Sequence, residues 1–224
     1  MKPMSHFSEK ELKEYKKSPM FRYLKEKLNG FSPNKILDIG AWNGRWTRQA
    51  KQFWPDAHYT CIEAGEKHKE RLKECANKVF IGVLGNENKE VKMHLRKITK
   101  GSHRSKITYT KGSNIFGSSE SFPSHSTEVR EMVTLESLVG ADVSYDFIKQ
   151  DVQGAELLVI QGSPEIFKRA TYVLNEVNLY KDPDHPLMPD VKEMDTYMKN
   201  LGFLNSKIID DHGLHKQVDK IYWK

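Results

Sequence analysis

No part of the sequence limits the possible folds more than KILDIGAWNGRWT at residues 35–47, where an apolar strand leads directly into a glycine turn. Asp38 lies near the end of the strand, Gly40 follows it, and Gly44 stands at the predicted start of a helix. In an open α/β sheet such a turn presents backbone N–H groups and a helix N-terminus to a ligand. We therefore interpret the segment as a ligand-binding turn, and a tight turn without a ligand is the less favoured interpretation.

Strand and helix patterns alternate along the first half of the chain. Apolar strands are predicted at 35–39, 58–63 and 78–83, and helices at 45–53 and 66–76. Strands separated by helices at this spacing are typical of βαβ units and of a parallel sheet.

The same alternation returns after residue 145. Strands are predicted at 146–151, 171–177, 203–209 and 217–223, and helices at 155–161, 164–168 and 191–200. The last two strands are close enough in sequence to pair antiparallel. The sequence thus predicts an α/β fold with a doubly wound, Rossmann-like sheet, mostly parallel and closed by an antiparallel terminal hairpin.

The middle of the chain is less regular. Strands are predicted at 91–96 and 128–134, and the polar stretch 101–127 lacks helical periodicity. A loop of this length in a compact domain is usually functional or disordered, so we expect 101–127 to border an acceptor pocket and to be more mobile than the sheet.

Residues 1–33 are predicted to form a helical extension, with one or two helices at 8–29, and residues 34–224 one domain. A chain of this length has room for a full-sized core. No stretch approaches the ~18 apolar residues of a membrane span. Cys61 and Cys75 neither make a disulfide framework nor show zinc-site spacing, so a reducing, cytoplasmic location is expected.

Two nucleoside cofactors fit the first turn, and its glycines discriminate between them. Glu63 follows Gly40 by 23 residues and ends the second strand, where it can accept hydrogen bonds from two ribose hydroxyls. The dinucleotide motif G-x-G-x-x-G needs glycines at 42 and 45, but this chain has Trp42 and Arg45. S-adenosylmethionine has no phosphate and needs a partner for its ammonium group, for which Asp38 and backbone carbonyls are both candidates. The turn therefore favours S-adenosylmethionine over a nicotinamide dinucleotide.

A second motif, YDFIKQDVQGAELLVIQGS at 145–163, places polar residues at the end of another strand. Lys149, Asp151 and Gln153 alternate, so they would share one face of an extended strand. The carboxyl edge of an open α/β sheet is where ligands bind. A structural ion pair between Lys149 and Asp151 is the equally weighted alternative.

The motifs DIGAWNGRWT, CIEA, REMVTLESLV, KQDVQGAELLVIQGS and VLNEV occur in this order. Together they resemble FkbM-type methyltransferases over residues 34–223. The resemblance implies a class I methyltransferase fold and O-methylation by S-adenosylmethionine, commonly on a sugar or polyketide hydroxyl.

The resemblance also implies site residues. By the resemblance, Asp38, Gly40, Glu63 and Asp151 are cofactor-site residues, and Lys149, Asp151 and Glu176 form the polar edge that faces the substrate. The predicted cofactor contacts also include Ala41, Trp42, Asn43, Ala64 and Leu84, and the predicted catalytic residues are Asp151, Lys149 and Glu176. Two positions depart from the family pattern. Trp42 stands where the family usually has Asn, with Asn43 displaced by one, and Gln153 stands where it commonly has Glu.

Methyl transfer to a hydroxyl needs alignment and a route for the hydroxyl proton. Asp151 is the first candidate for the base or orienting group and Glu176 the second. His185, in the loop after the fifth strand, is a third, although a loop histidine is more often only solvated. His212 and His215 lack an accompanying carboxylate or cysteine pattern, so we interpret them as a surface turn and predict no metal.

The basic segment 89–111 leaves a second function open. It holds eight Lys or Arg residues against the single acid Glu90. It could attract an acidic partner such as nucleic acid, but a solvated strand edge protected by lysines is favoured because aromatic residues for stacking bases are few. The predicted acceptor is accordingly a sugar, glycan or glycosylated small molecule, with nucleic acid as the alternative and a nicotinamide-dependent oxidoreductase third.

Overall fold

The computed structural model describes residues 18–95, 97–98, 108–109, 114–116, 126–181, 183, 187–212 and 217–224. Its first half comprises α1 (Pro19–Lys27), β1 (Lys35–Ile39), α2 (Arg45–Ala50), β2 (His58–Glu63), a 3₁₀ turn (Glu66–His68), α3 (Lys69–Lys73) and β3 (Lys78–Ile81). The first two strands match their predicted positions, and the helices are shorter than predicted. The part of the predicted N-terminal helices at 8–17 lies outside the described residues.

The predicted third strand, 78–83, divides at Gly82. Its last residue belongs to β4 (Val83–Leu84), which joins a separate small sheet with β5 (Lys89–Leu95) and β8 (Ser126–Val133). Between them lie two short paired strands, β6 (Lys97–Ile98) and β7 (Thr108–Tyr109). Most of the polar stretch 101–127 lies outside the described residues, so its predicted mobility stays a prediction.

A short helix that the sequence did not predict follows β8. It is α4 (Leu135–Val139), and Thr134 caps it by accepting a hydrogen bond from the backbone N–H of Ser137 at 3.1 Å. The remaining elements are β9 (Phe147–Gln150), α5 (Glu156–Gly162), α6 (Pro164–Lys168), β10 (Tyr172–Asn178), α7 (Val191–Asn200), β11 (Asn205–Asp211) and β12 (Gln217–Trp223).

The main sheet has seven strands in the order β11-β12-β10-β9-β1-β2-β3. The strands from β10 to β3 are parallel, and β12 and β11 add an antiparallel pair at one end. Because β2 and β9 flank β1, chain order reverses at β1, and the carboxyl ends of β1 and β9 meet at the switch point where such sheets bind ligands. The predicted doubly wound sheet with a terminal antiparallel pair is confirmed.

Apolar side chains cover both faces of the main sheet. On one face an aromatic group joins α1 to the sheet, because Phe21 lies against Trp46 at a ring distance of 6.3 Å and Trp46 stacks on Phe147 at 5.8 Å. The other face packs against α5, α6 and α7. The first helix is therefore part of the core. No helix in the described part of the chain is long and apolar enough to cross a membrane.

Candidate active site

The turn after β1 depends on Gly40, which has a φ of +72°. A Cβ at this position would overlap the backbone carbonyl of Asp151. The turn is closed by hydrogen bonds from the N–H groups of Gly40 and Ala41 to the carbonyl of Ile62, at 2.9 and 3.1 Å. Only glycine therefore allows the turn after β1 to contact the turn after β9 backbone to backbone.

Glu63, at the end of β2, is fixed by two backbone donors. Its Oε2 accepts from the N–H of Trp42 at 2.7 Å, and its Oε1 accepts from the N–H of Gly65 at 2.9 Å. Burial raises the pKa of Glu63 above its ordinary value, and the two N–H groups oppose that rise. A carboxylate has about four acceptor positions, so both oxygens retain capacity for a ligand hydroxyl.

Asp38, a predicted partner of the cofactor ammonium, is fully buried below the turn. Its Oδ2 accepts a hydrogen bond from Thr47 Oγ1 at 2.6 Å, and its Oδ1 lies 3.2 Å from Lys149 Nζ. Lys149 Nζ also lies 3.6 Å from Asp151 Oδ2. Burial lowers the pKa of Lys149, but the carboxylates of Asp38 and Asp151 outweigh it and hold that pKa above its usual value. Lys149 is therefore a charged bridge between the two aspartates.

The strand-face prediction for Lys149, Asp151 and Gln153 is partly wrong, because β9 ends at Gln150 and Gln153 lies in the following turn. The side chains nevertheless converge. Gln153 Nε2 donates to Asp151 Oδ1 at 2.7 Å and to Glu176 Oε2 at 2.9 Å. Burial, and then the charge of Asp151, raises the pKa of Glu176 well above its ordinary value.

The two departures from the family pattern share a backbone feature. Among the described residues, Trp42 and Gln153 are the non-glycine residues with positive φ, at 47° and 58°. For a large side chain this conformation costs of order 1–3 kcal/mol and persists where the surroundings fix it. Both residues lie in turns at the ligand edge of the sheet, so the strain is located at the site.

The interpretation of His212 as part of a surface turn is wrong. Its Nε2 lies 3.2 Å from Asp219 Oδ2 and 3.9 Å from Glu176 Oε1. The antiparallel pairing of β10 with β12 sets Glu176 opposite Asp219, and His212 follows β11. The predicted pairing of the last two strands was the sequence signal that could have found this group. His185 and His215 lie outside the described residues.

These residues line one cavity of about 390 Å³. Of the predicted site residues, those in its wall are Gly40, Ala41, Trp42, Glu63, Ala64, Leu84, Lys149, Asp151 and Glu176. Asp38 and Asn43 lie outside the lining, and Asn43 instead accepts a hydrogen bond from the N–H of Arg45 at 3.1 Å. The wall also includes Gln153, Asp210, His212 and Asp219, which were not predicted as site residues.

The cavity has two chemically different ends. Around β1 and β2 it offers a glycine turn and one oriented carboxylate, Glu63, which suit a nucleoside. Around β9, β10 and β12 it offers carboxylates, an amide and an imidazole, which suit a second, polar reactant. A doubly wound α/β protein with this arrangement belongs to the class that brings a nucleoside cofactor to an acceptor.

The chain matches the family model of the methyltransferase FkbM domain over residues 38–204. It therefore belongs to the FkbM methyltransferase family and is a methyltransferase that uses S-adenosylmethionine. No curated protein matches the sequence.

Several solved methyltransferase structures are similar to this chain at low identity. One is a candidate O-methyltransferase from Nostoc punctiforme PCC 73102, which shares 15% sequence identity at a TM-score of 0.48. The match covers 92% of this chain but 55% of the Nostoc chain, so this chain spans about half the length of that protein. The precorrin-6y C5,15-methyltransferase from Geobacter metallireducens GS-15 shares 11% at 0.44, covering 86% and 81% of the two chains. The plantazolicin methyltransferase BpumL, solved with S-adenosylhomocysteine (SAH), shares 12% at 0.45, covering 96% and 89%.

Proposed function

We propose that the protein transfers the methyl group of S-adenosylmethionine to a hydroxyl of a sugar, glycan or glycosylated small molecule. The observation that carries the proposal is the group of carboxylates around Gln153 and His212, formed by Asp151, Glu176, Asp210 and Asp219 in one cavity wall. Carboxylates accept hydrogen bonds from several hydroxyls at once, and they also accept a proton. A polyhydroxylated acceptor uses both properties.

The cofactor is expected over the carboxyl ends of β1 and β2. In this placement Glu63 accepts from the ribose hydroxyls, while Trp42, Ala64 and Leu84 form the wall of the nucleoside pocket. Asp38 acts on the methionine end indirectly, because its carboxylate faces Thr47 and Lys149.

Replacing Glu63 by alanine should weaken SAH binding by roughly 1–3 kcal/mol, because ribose hydroxyls lose their partner in a buried site. Isothermal titration calorimetry on the folded variant measures the effect. Glu66→Ala is a matched control, since Glu66 is exposed and pairs with Lys69 at 2.9 Å outside the cavity. Unchanged affinity in Glu63→Ala would contradict this placement.

In the proposed reaction the hydroxyl oxygen attacks the methyl carbon in line with the departing sulfur. Asp151 orients the hydroxyl and accepts its proton, and Lys149, at 3.6 Å, favours the ionised form of Asp151 before the transfer. Gln153 fixes the Asp151 and Glu176 carboxyl groups through its two hydrogen bonds. The protein thus contributes alignment and a proton acceptor.

A transfer assay with methyl-labelled cofactor against sugars, glycans and nucleic acids tests this function directly. Label in the carbohydrate fraction is the expected result. Label found only in nucleic acid, or in none of the acceptors while SAH binds, would contradict it.

The nucleic-acid alternative rests on the basic segment 89–111. In its described part Lys89 lies 2.5 Å from Glu87, and on the neighbouring strand Arg130 lies 3.1 Å from Glu128, so acidic side chains offset these two charges. Residues 96, 99–107 and 110–111 lie outside the described residues. Retention on immobilised DNA or RNA that falls steeply with salt would favour this alternative.

A further inference from the structure

We infer that Glu176 and His212, with Asp219 as the orienting partner of the imidazole, form a proton relay that carries the acceptor proton from Asp151 to solvent. The inference rests on the proposed function, because only an acceptor that loses a proton needs such a route. It assigns to His212 a role as a positioning residue that acts through the carboxyl groups.

The groups of the relay follow one another along the cavity wall. Gln153 Nε2 donates to Asp151 Oδ1 at 2.7 Å and to Glu176 Oε2 at 2.9 Å, so both carboxyl groups lie beside one amide nitrogen. Glu176 Oε1 is 3.9 Å from His212 Nε2, a gap that a small ring rotation or one bridging water closes. His212 Nε2 is in turn 3.2 Å from Asp219 Oδ2.

The sheet holds these groups in place. Glu176 on β10 is the register partner of Asp219 on β12, and Asp219 is the register partner of Asp210 on β11. The backbone N–H of His212 donates to the carbonyl of Gln217 at 3.0 Å, which continues the β11–β12 pairing. The backbone of His212 is therefore held beside three carboxylates.

The last group of the proposed route is the most exposed one, although the route passes through a more buried carboxyl group, since the side chain of Asp151 is 26% exposed. The side chain of Glu176 is 13% exposed, whereas that of His212 is 33% exposed. A buried carboxyl group can hold a proton, but it exchanges that proton with water slowly unless a more exposed group takes it. His212 is the more exposed end of the chain of contacts, so it is the exit.

Charge favours a proton on His212. Three acidic groups of the described residues face it: Asp219 on β12, Glu176 on β10 and Asp210 on β11, the last through an electrostatic interaction. Anions around an imidazole stabilise its charged form. By contrast, Lys149 at 3.6 Å from Asp151 disfavours a proton that stays on Asp151. The proton therefore moves away from Lys149 and towards His212.

The step balances without a further reactant. As the hydroxyl oxygen bonds to the methyl carbon, the carbon–sulfur bond breaks and its electron pair stays on sulfur, which leaves the thioether of SAH. The O–H bond breaks and its proton passes to Asp151. Asp151 then passes a proton to Glu176, and Glu176 passes one to Nε2 of a neutral His212 that carries its own proton on Nδ1. Because Nε2 is buried, the Nδ1 proton is the one released to water, and a turn of the ring restores the starting tautomer.

The first test follows turnover against pH, with methyl hexopyranosides of the gluco, galacto and manno series as probe acceptors. For the native protein we expect kcat to rise with pH above the ordinary imidazole pKa of about 6.5, because the surrounding carboxylates favour charged His212, which must be neutral to take a proton. His212→Gln should lose this limb and lower kcat by roughly 10²-fold, the lower end of the effect of a positioned proton acceptor. SAH affinity should be unchanged.

His58→Gln is the matched control. His58 is the first residue of β2, so it lies at the amino-terminal ends of the parallel strands, whereas the site lies at their carboxyl ends. An unaltered pH profile in folded His212→Gln would overturn the relay while the proposed function stood. If the native protein binds SAH but methylates none of the hydroxyl probes, the proposed function fails, and the relay fails with it.

A second test needs no acceptor. Histidine NMR of the SAH complex follows the protonation of His212 directly, and Asp219→Asn should move its titration midpoint to lower pH by about one unit, because a neighbouring anion is lost. If the relay operates, Asp219→Asn should also shift the rise of kcat with pH to lower pH by the same amount. A purely structural contact between Glu176 and His212 would leave that rise where it is. A midpoint that does not move would overturn the role of Asp219.

Discussion

Asp151→Asn is expected to lower kcat by roughly 10²–10⁴-fold, the usual contribution of a positioned general base. Asparagine keeps the shape of the side chain and its contact with Gln153 but cannot take the hydroxyl proton. SAH affinity should change much less, because the proposed placement assigns most of the cofactor contacts to Glu63 and the Gly40 turn. Steady-state kinetics with an acceptor from the transfer assay, together with calorimetry, measures the two effects separately.

Glu176→Gln is the comparison variant. A larger loss of kcat in Glu176→Gln than in Asp151→Asn would identify Glu176 on β10, instead of Asp151 after β9, as the base. Asp142→Asn, on the exposed loop before β9, is the matched control and should leave kcat unchanged. Near-native turnover by both folded site variants would remove the carboxylate base, leaving His185 or alignment alone as the explanation.

Lys149→Met is expected to lower the free energy of unfolding by about 3–5 kcal/mol, the cost of breaking a buried ion pair by removing one partner. Asp38 is fully buried, and Lys149 Nζ lies 3.2 Å from its Oδ1. Methionine fills a similar volume, so the loss arises from the unbalanced charge rather than from a cavity. Urea unfolding measures the difference in free energy.

The double variant Lys149→Met with Asp38→Asn should recover part of this loss, because the buried charge is removed together with its partner. Lys73→Met is the control. Lys73 pairs with Glu70 at 2.7 Å on an exposed face of α3, where an ion pair contributes about 0–1 kcal/mol. A Lys149→Met loss no larger than that of Lys73→Met would contradict the buried-charge account.

The first turn and the end of β9 could be predicted because their determinants are local. Gly40 and Asp151 follow strands whose apolar pattern is visible in the sequence, and Glu63 and Lys149 lie in the last two residues of such strands. Parallel strands bring their carboxyl ends to one edge. The pairing of the last two strands was likewise predicted from their separation. The edge of the sheet on which these residues meet could therefore be predicted without knowing any contact between residues that are distant in sequence.

His212 was missed because its role depends on register between distant strands. Its neighbours Glu176 and Asp219 are brought together by the pairing of β10 with β12, and neither residue type nor spacing reveals which side chains face each other. The diversion of Val83 into a second sheet has a similar origin, since β4 pairs with β8, about fifty residues further along the chain.

The backbone contact between Gly40 and Asp151 has a mechanical consequence. Since no side chain separates the two turns, one backbone contact positions both the proposed cofactor site and the proposed proton acceptor. When thermal motion displaces one turn, the other turn is displaced with it. We therefore expect the distance between the two turns to vary less than the position of either turn. Substitutions on β11, β12 and the small sheet, which lie further from this contact, can then change which acceptors bind. The distance between the methyl donor and the acceptor hydroxyl would stay the same.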